Sequence, residues 1–185
     1  MTANAIYPMD TARQLRMTVY SALMAALTAA GAFIAVPIGP VPIVLQNMFV
    51  FLTGLLLGSR WGLASVGVYL LAGAVGLPVF SGGTGGLGRF VGPTGGYLIG
   101  YLPAVFIIGL IAERTGRRPV TDIMAALCGA VVVYLFGVPW LKTVTGMSTA
   151  KALMAGMFPF LPGDAIKIAA AVAAARVLRP LMQRR

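Results

Sequence analysis

Long apolar stretches alternate with short polar ones along most of this chain. An α-helix needs about 20 mostly apolar residues to cross the hydrocarbon core of a bilayer. The pattern therefore predicts an all-α integral membrane protein, a single domain over residues 1–185 with six transmembrane helices. The predicted spans are residues 17–36, 43–58, 63–80, 97–112, 122–141 and 162–178.

Proline and short polar segments separate these spans. Proline removes a helical donor and clashes with the preceding turn, so the proline-rich segment 37–42 ends the first span. Ser59–Gly62 is expected to form a tight polar turn, and residues 113–118 a loop. Residues 142–161 contain two lysines and a proline, which favours a short interfacial helix over another span. The first run is longer than the 7–15-residue core of a signal peptide, so we expect it to be retained.

The basic residues predict the orientation. Six spans place both termini on one side, and Lys/Arg excess marks the cytoplasmic side. Only Arg89, Lys142 and Lys151 would lie on the opposite side, and Lys167 falls within the last span. Both termini are therefore expected in the cytoplasm. The side of the termini would carry Arg13, Arg16, Arg60, Arg114, Arg117, Arg118, Arg176, Arg179, Arg184 and Arg185.

Composition supports the membrane assignment and excludes several kinds of function. The chain is 59% hydrophobic and 10% charged, against about 25% charged residues in soluble domains. Its net charge of +10 lies in short clusters with no nucleic-acid-binding motif. The chain has no histidine and one cysteine, so we expect no metal site, no cofactor and no internal disulfide. It has no Walker-type sequence, so ATP hydrolysis would need another subunit.

A glycine-rich segment lies between the third and fourth predicted spans. Residues 76–101 read GLPVFSGGTGGLGRFVGPTGGYLIGY and include Arg89. Irregular backbone at membrane depth is tolerated only where protein buries it or where it lines a cavity. The segment is therefore expected to form an outward-facing lid or wall over a binding site. The alternative is a long surface loop.

The sequence PGDAIK, residues 162–167, holds the strongest candidate site. Asp164 and Lys167 lie three residues apart, so they share one face of a helix. Charges at membrane depth are costly and usually mark function. The pair could bind a neutral group that has both N–H and C=O, such as a urea or amide. Alternatively, Asp164 caps the helix while Lys167 extends to the interface, or the two only satisfy each other.

Arg89 is the second candidate, because the guanidinium group binds carboxylates through two hydrogen bonds. The alternative is a structural arginine that bonds loop carbonyls or lipid phosphate. Together, the two sites suggest a ligand with a carboxylate at one end and a polar, uncharged head at the other. Trp61 and Trp140 are interpreted as membrane-interface anchors. Weaker candidates, each as compatible with loop or packing hydrogen bonds, are Gln46, Asn47, Ser81, Thr84 and Tyr97.

Small residues repeat along the first span. Ala22, Ala26 and Ala30 recur every four residues, a spacing that permits close helix contact in membranes. They could pack within the helix bundle or dock a separate membrane partner.

Together these motifs resemble the BioY family, the biotin-specific S components of energy-coupling-factor (ECF) vitamin transporters. The resemblance rests on GLPVF followed by GPTGGYLIGY, and on GPVPIVLQ and PGDAIK in the same order. It covers about residues 16–178. One position departs: the family usually has threonine where this chain has Val44.

The resemblance implies a non-enzymatic protein of the bacterial cytoplasmic membrane that binds biotin from outside. It implies that Arg89 binds the valerate carboxylate and that Asp164 and Lys167 bind the ureido ring. It also implies that the alanine stripe docks a transmembrane coupling (T) subunit driven by two ATPase subunits, and that the proline-rich turn gates the site. The bilayer is the remaining partner, and a homo-oligomer stays open.

Three other functions compete with this one. An S component for another vitamin would share the fold, but GPTGGY with PGDAIK favours biotin. A membrane enzyme acting on a lipid or prenyl substrate would need paired acids, and Asp164 is the only acid expected deep in an apolar segment. A channel would need a ring of polar residues along a pore, which is not apparent.

Overall fold

The computed structural model describes residues 8–37, 39–116 and 118–183 and is mostly helical. The predicted leader up to residue 7 and the basic residues Arg117, Arg184 and Arg185 lie outside the described residues. The elements are α1 (Pro8–Phe33), β1 (Ala35–Val36), β2 (Ile43–Val44), α2 (Gln46–Ala74), α3 (Gly88–Val91), α4 (Gly95–Arg114), α5 (Pro119–Thr145), α6 (Thr149–Gly156) and α7 (Leu161–Gln183).

Four of the described helices, namely α1, α2, α4 and α5, are long and apolar enough to cross a membrane. This agrees with an integral membrane protein, whereas the count of six spans stays a prediction. α7 is 23 residues long but carries Asp164, Lys167, Arg176 and Arg179, which lower its hydropathy. Its composition alone therefore does not identify α7 as a membrane span.

Helix α2 covers two of the predicted spans and reverses direction inside. Gly58 has φ 80° and ψ −171°, a conformation outside the helical region. A Cβ atom on Gly62 would lie 3.7 Å from the Cα atom of Gly54, although eight residues of straight helix span about 12 Å. The two arms, residues 46–57 and 59–74, therefore fold back on each other. The reversal occurs at a single glycine, one residue before the predicted polar turn.

A carboxylate from α4 holds this reversal in place. The backbone N–H of Ser59 donates to Glu113 Oε1 at 2.9 Å, and the Ser59 hydroxyl donates to Glu113 Oε2 at 3.0 Å. The first N–H groups of a helix lack partners within it, so an acidic side chain stabilises the start of the second arm. A Cβ atom on Gly58 would lie 1.9 Å from Glu113 Oε1, so this contact also requires glycine.

The second arm ends earlier than predicted. The helix stops at Ala74, and the rest of the predicted span to residue 80 is irregular. Gly76 has φ 103°, and Pro78 cannot donate to a helix. Phe80 instead pairs with Thr84 through a backbone hydrogen bond of 2.9 Å. The prediction included Phe80 in the span because the residue is apolar. In the structure Phe80 is buried, but it lies in a turn and not in a helix.

The proline-rich segment folds into a small antiparallel hairpin, so the fold is not purely α-helical. Ala35 pairs with Val44, and Val36 pairs with Ile43. The residues between them include three prolines, which have no backbone N–H, so a longer ladder cannot form. As a result α1 ends at Phe33 and α2 begins at Gln46, inside the predicted bounds.

A second acid is buried besides Asp164. Asp122 near the start of α5 is fully buried, and Arg179 of α7 donates to both of its oxygens at 2.5 and 2.9 Å. Arg179 also donates to the carbonyl of Leu55 at 3.0 Å. Asp164 is therefore not the only buried acid, although Asp122 lies at the start of a predicted span rather than deep within one. Arg179, counted above among the charges on the side of the termini, joins α5, α7 and the first arm of α2.

The alanine stripe faces away from the bundle. Ala22, Ala26 and Ala30 are all exposed, whereas Ala25 beside them is buried. Leu23 is 55% exposed and extends the same apolar face. The interpretation in which the three alanines pack inside this chain is not supported by their positions.

Candidate functional site

A cavity of about 460 Å³ lies where the proline-rich hairpin, the glycine-rich segment and the helices meet. This volume is within the range of small-molecule pockets. It is lined by Pro40, Val41, Pro42, Val44, Gln46, Asn47, Phe80, Ser81, Gly85, Gly88, Arg89, Gly92, Pro93, Thr94, Tyr97, Leu98, Tyr101, Tyr134 and Phe160. The glycine-rich segment thus contributes to the wall of this cavity, whereas its outward orientation and its role at a binding site stay predictions.

Four of the six predicted binding residues line this cavity. Their shared feature is a polar side chain next to a turn or at a helix start, and their role in ligand binding stays a prediction. They are Gln46, Ser81, Arg89 and Tyr97. Thr84 does not line the cavity, and its hydroxyl donates to the carbonyl of Ser81 at 3.0 Å, which is a local turn contact.

Arg89 supplies a positive charge at the cavity. It lies on the single-turn helix α3 and is partly exposed. Within the described part of the chain, no carboxylate lies within the 4.0 Å that defines a salt bridge to it. A guanidinium group that is not already paired with an acid remains available to a carboxylate ligand.

Trp140 fixes the end of the Arg89 helix. Its indole N–H donates to the carbonyl of Gly92 at 3.0 Å, one residue after α3 ends. A Cβ atom on Gly96 would lie 2.3 Å from the Trp140 Cβ, so the glycine allows α4 and α5 to approach at this point. Besides its predicted role as an interface anchor, Trp140 connects the glycine-rich segment to α5 through this hydrogen bond.

Gln46 is a buried amide at the cavity wall. Its side chain is only 2% exposed and lies beside the buried hydroxyl of Tyr69, to which it hydrogen-bonds. The adjacent Asn47 already accepts a hydrogen bond of 2.6 Å from the Tyr101 hydroxyl.

Tyr97 contributes its ring rather than its hydroxyl. The hydroxyl donates to the carbonyl of Gly156 at 2.8 Å, which attaches α6 to α4. Phe80 stacks edge-on against Tyr69 and Phe90, with ring centroids 5.5 and 5.6 Å away. The walls between the polar groups are therefore largely apolar and aromatic.

Asp164 and Lys167 form a buried pair just behind the cavity wall. Lys167 Nζ lies 3.0 Å from Asp164 Oδ1, and the two residues are 6% and 4% exposed. Neither residue lines the cavity. The hydroxyl of Tyr134, which does line it, donates to Asp164 Oδ2. The pair is therefore connected to the cavity through Tyr134.

Sequence reasoning missed Tyr134, Phe80 and Phe160. Tyr134 lies in the run AVVVYLFGV, where a single hydroxyl among apolar residues gives little signal. A polar group inside a predicted span was nevertheless a usable indication of function. The phenylalanines carry no such signal, because an aromatic residue that lines a cavity has the same sequence pattern as one in the core.

The arrangement suits an elongated acid with a polar head. In the part of the chain that the structure describes, Arg89 is the one cation that lines the cavity, an acid–base pair lies behind Tyr134, and aromatic rings form much of the remaining wall. Among the described residues, no group of three His, Cys, Asp or Glu side chains could hold a metal ion. These features favour binding of an amphiphilic organic anion.

A model of the BioY family matches residues 4–184. The chain belongs to the BioY family. Among its relatives, a probable biotin transporter BioY of Pyrococcus horikoshii is 45% identical over 85% of this chain and 93% of that protein. Biotin transporters BioY of Rhodobacter capsulatus and Thermotoga maritima are 44% and 38% identical, over 84% and 90% of this chain and 89% and 98% of those proteins.

A solved structure also resembles this member of the BioY family. It is the S-component for biotin from an ECF-type ABC transporter, with a TM-score of 0.86 and 34% identity. The match covers 97% of this chain and 95% of the solved chain. Val44, the position at which the sequence departs from the pattern that the resemblance implied, lines the cavity and contributes no hydroxyl there.

Proposed function

We propose that this protein is the substrate-capture subunit of a biotin uptake transporter, without enzymatic activity of its own. The observation that carries the proposal is the match over 97% of the chain to a solved S-component for biotin. Family membership and relatives that are biotin transporters support the same function. The cavity adds a cation and largely apolar walls, and a buried acid–base pair lies behind it, which suits a ligand with a carboxylate and a polar ring.

Biotin would lie along the cavity with its two ends held by different residues. Arg89 would bind the valerate carboxylate, while Asp164 and Lys167 would bind the N–H and C=O groups of the ureido ring. The aliphatic chain and thiophane ring would contact the aromatic wall. Gln46, Ser81 and Tyr97, which also line the cavity, complete the proposed contacts.

Isothermal titration of the detergent-purified protein tests this function. We expect tight one-to-one binding of biotin, weaker binding of biotin amide and no binding of thiamine. Binding of thiamine rather than biotin would indicate an S component for another vitamin. Folded protein that binds none of the three would contradict the proposal.

Arg89→Ala should weaken biotin binding about 10- to 100-fold, because a charge-assisted hydrogen bond contributes about 1.5–3 kcal/mol. Biotin amide has no carboxylate, so its affinity should change much less. The comparison of the two ligands by titration isolates the carboxylate contact. Arg60→Ala, at an exposed arginine outside the cavity, is the matched control. Equal losses for both ligands would remove the carboxylate role from Arg89.

The topology of six spans with both termini in the cytoplasm belongs to the same proposal. The two arms of α2 fold back at Gly58, so they can supply the second and third crossings. α7 would supply the sixth, since three of its charged residues, Asp164, Lys167 and Arg179, are buried and paired within the protein. In this arrangement the cavity opens outward and the protein lies in the cytoplasmic membrane.

We further infer that the alanine stripe docks a transmembrane coupling subunit, which works with two ATPase subunits. Ala22→Leu with Ala26→Leu should sharply reduce biotin uptake by the assembled transporter, because the larger side chains prevent close helix contact. Biotin binding by the isolated protein should not change. The control is Ala169→Leu with Ala173→Leu, two exposed alanines at the same spacing on α7. Loss of binding, or equal loss of uptake in the control, would contradict docking through this face.

A further inference from the structure

Tyr134 is the cavity-lining residue whose side chain contacts Asp164. The tyrosine lines the cavity, while Asp164 and Lys167 do not. Each oxygen of the Asp164 carboxylate already has a donor: Lys167 Nζ at 3.0 Å on Oδ1, and the Tyr134 hydroxyl on Oδ2. A ligand N–H group that approaches from the cavity therefore meets the Tyr134 side chain first.

We propose that Tyr134 is a placeholder that fills the ligand position on Asp164 while the site is empty. A buried carboxylate oxygen without a donor is costly, and the Tyr134 hydroxyl removes that cost before ligand arrives. When biotin enters, a ureido N–H replaces the hydroxyl on Oδ2, and the Tyr134 side chain moves aside. This inference rests on the proposed function, because it takes the ureido group as the ligand of Asp164.

The exchange makes Tyr134 a determinant of specificity. A ligand that brings an N–H group gives one hydrogen bond for the one it removes, so Asp164 stays satisfied. A ligand of the same shape without that donor would displace the hydroxyl and leave a buried oxygen unpaired. The affinity for such a ligand should therefore fall by more than the loss of one ligand hydrogen bond, because a buried oxygen of Asp164 is also left unpaired.

Tyr134→Phe tests the placeholder by removing only the hydroxyl. Without it the empty site has an unpaired carboxylate oxygen, so biotin should bind about tenfold more tightly than it binds the wild type. Thermal unfolding should show the empty variant to be less stable than the empty wild type. The biotin-saturated forms should have nearly equal stability, since the hydroxyl no longer contacts Asp164 in either.

Tyr101→Phe is the matched control. Tyr101 also lines the cavity, but its hydroxyl donates to Asn47 rather than to Asp164, so its removal should not tighten biotin binding. Tyr134→Met provides a second hydroxyl-free side chain if the phenylalanine variant does not fold. Biotin methylated on both ureido nitrogens serves as the ligand without N–H donors, and the wild type should bind it at least 100-fold more weakly than biotin.

The outcomes separate this inference from the proposed function. If the wild type binds no biotin, the proposed function fails first. If the wild type binds biotin but Tyr134→Phe and Tyr134→Met bind it more weakly, Tyr134 is a direct contact and the placeholder is wrong. Equal destabilisation of the empty and biotin-saturated variants would also overturn it, because it would mean that the hydroxyl stays on Asp164 in both states.

Discussion

Lys167→Ala should abolish tight biotin binding and also destabilise the protein. Lys167 and Asp164 are both buried, with 3.0 Å between Nζ and Oδ1. Removal of one partner of a buried ion pair leaves an uncompensated charge and costs about 3–5 kcal/mol. The ureido group would lose one of its two proposed partners at the same time. Thermal unfolding in detergent and titration with biotin measure the two effects separately.

A neutral double variant separates folding from recognition. Asp164→Asn with Lys167→Met leaves no unpaired charge behind, so most of the stability should return. Tight biotin binding should not return, because the charged donor and acceptor are still missing. Lys151→Ala, at an exposed lysine, is the control and should change neither quantity. If the neutral double variant binds biotin like the wild type, the head-group assignment of this pair is wrong.

Asp122→Ala should destabilise the protein as strongly but leave biotin affinity unchanged. Arg179 donates to both oxygens of Asp122, which is fully buried, so the variant leaves a buried guanidinium group without its acid. The expected loss is again about 3–5 kcal/mol. Asp122 precedes Tyr134 by twelve residues of α5, about 18 Å along the helix, and does not line the cavity.

The test for this pair is the unfolding midpoint together with the biotin dissociation constant of the folded fraction. Asp122→Leu with Arg179→Met should recover much of the stability, because an apolar pair can replace a buried ion pair. A tenfold or greater loss of biotin affinity in folded Asp122→Ala protein would contradict a purely structural role.

The length of an apolar run predicted the ends of a helix well where charged residues or proline flank the run. It predicted them poorly where apolar residues beyond the helix are also buried. The span predicted over residues 97–112 corresponds to α4, Gly95–Arg114. The span predicted to residue 80 stops at Ala74. The prediction was too long because Val79 and Phe80 are apolar and pack against the core, although they lie in an irregular turn. Hydropathy reports burial from water and does not distinguish a helix from a turn that is covered by protein or lipid.

Charged residues in apolar segments identified much of the candidate site. The remaining contacts join residues far apart in the sequence and could not be predicted from it. Arg89 and the Asp164–Lys167 pair were visible because charges in an apolar chain need a reason. The contact between Tyr134 and Asp164 joins positions 30 residues apart, and the Asp122–Arg179 pair joins positions 57 apart. Such pairs are set by how α5 packs against α7, which no local pattern specifies.

The charges of α7 also bear on how the chain enters the membrane during synthesis. Asp164, Lys167 and Arg179 each oppose insertion of an isolated helix, at about 2.5–3.5 kcal/mol for a charge at mid-membrane. Their partners on α5, Tyr134 and Asp122, are translated earlier. α7 therefore leaves the ribosome only after α5 has been made. As the proposed sixth span, it would integrate by folding against α5 rather than by partitioning into lipid on its own.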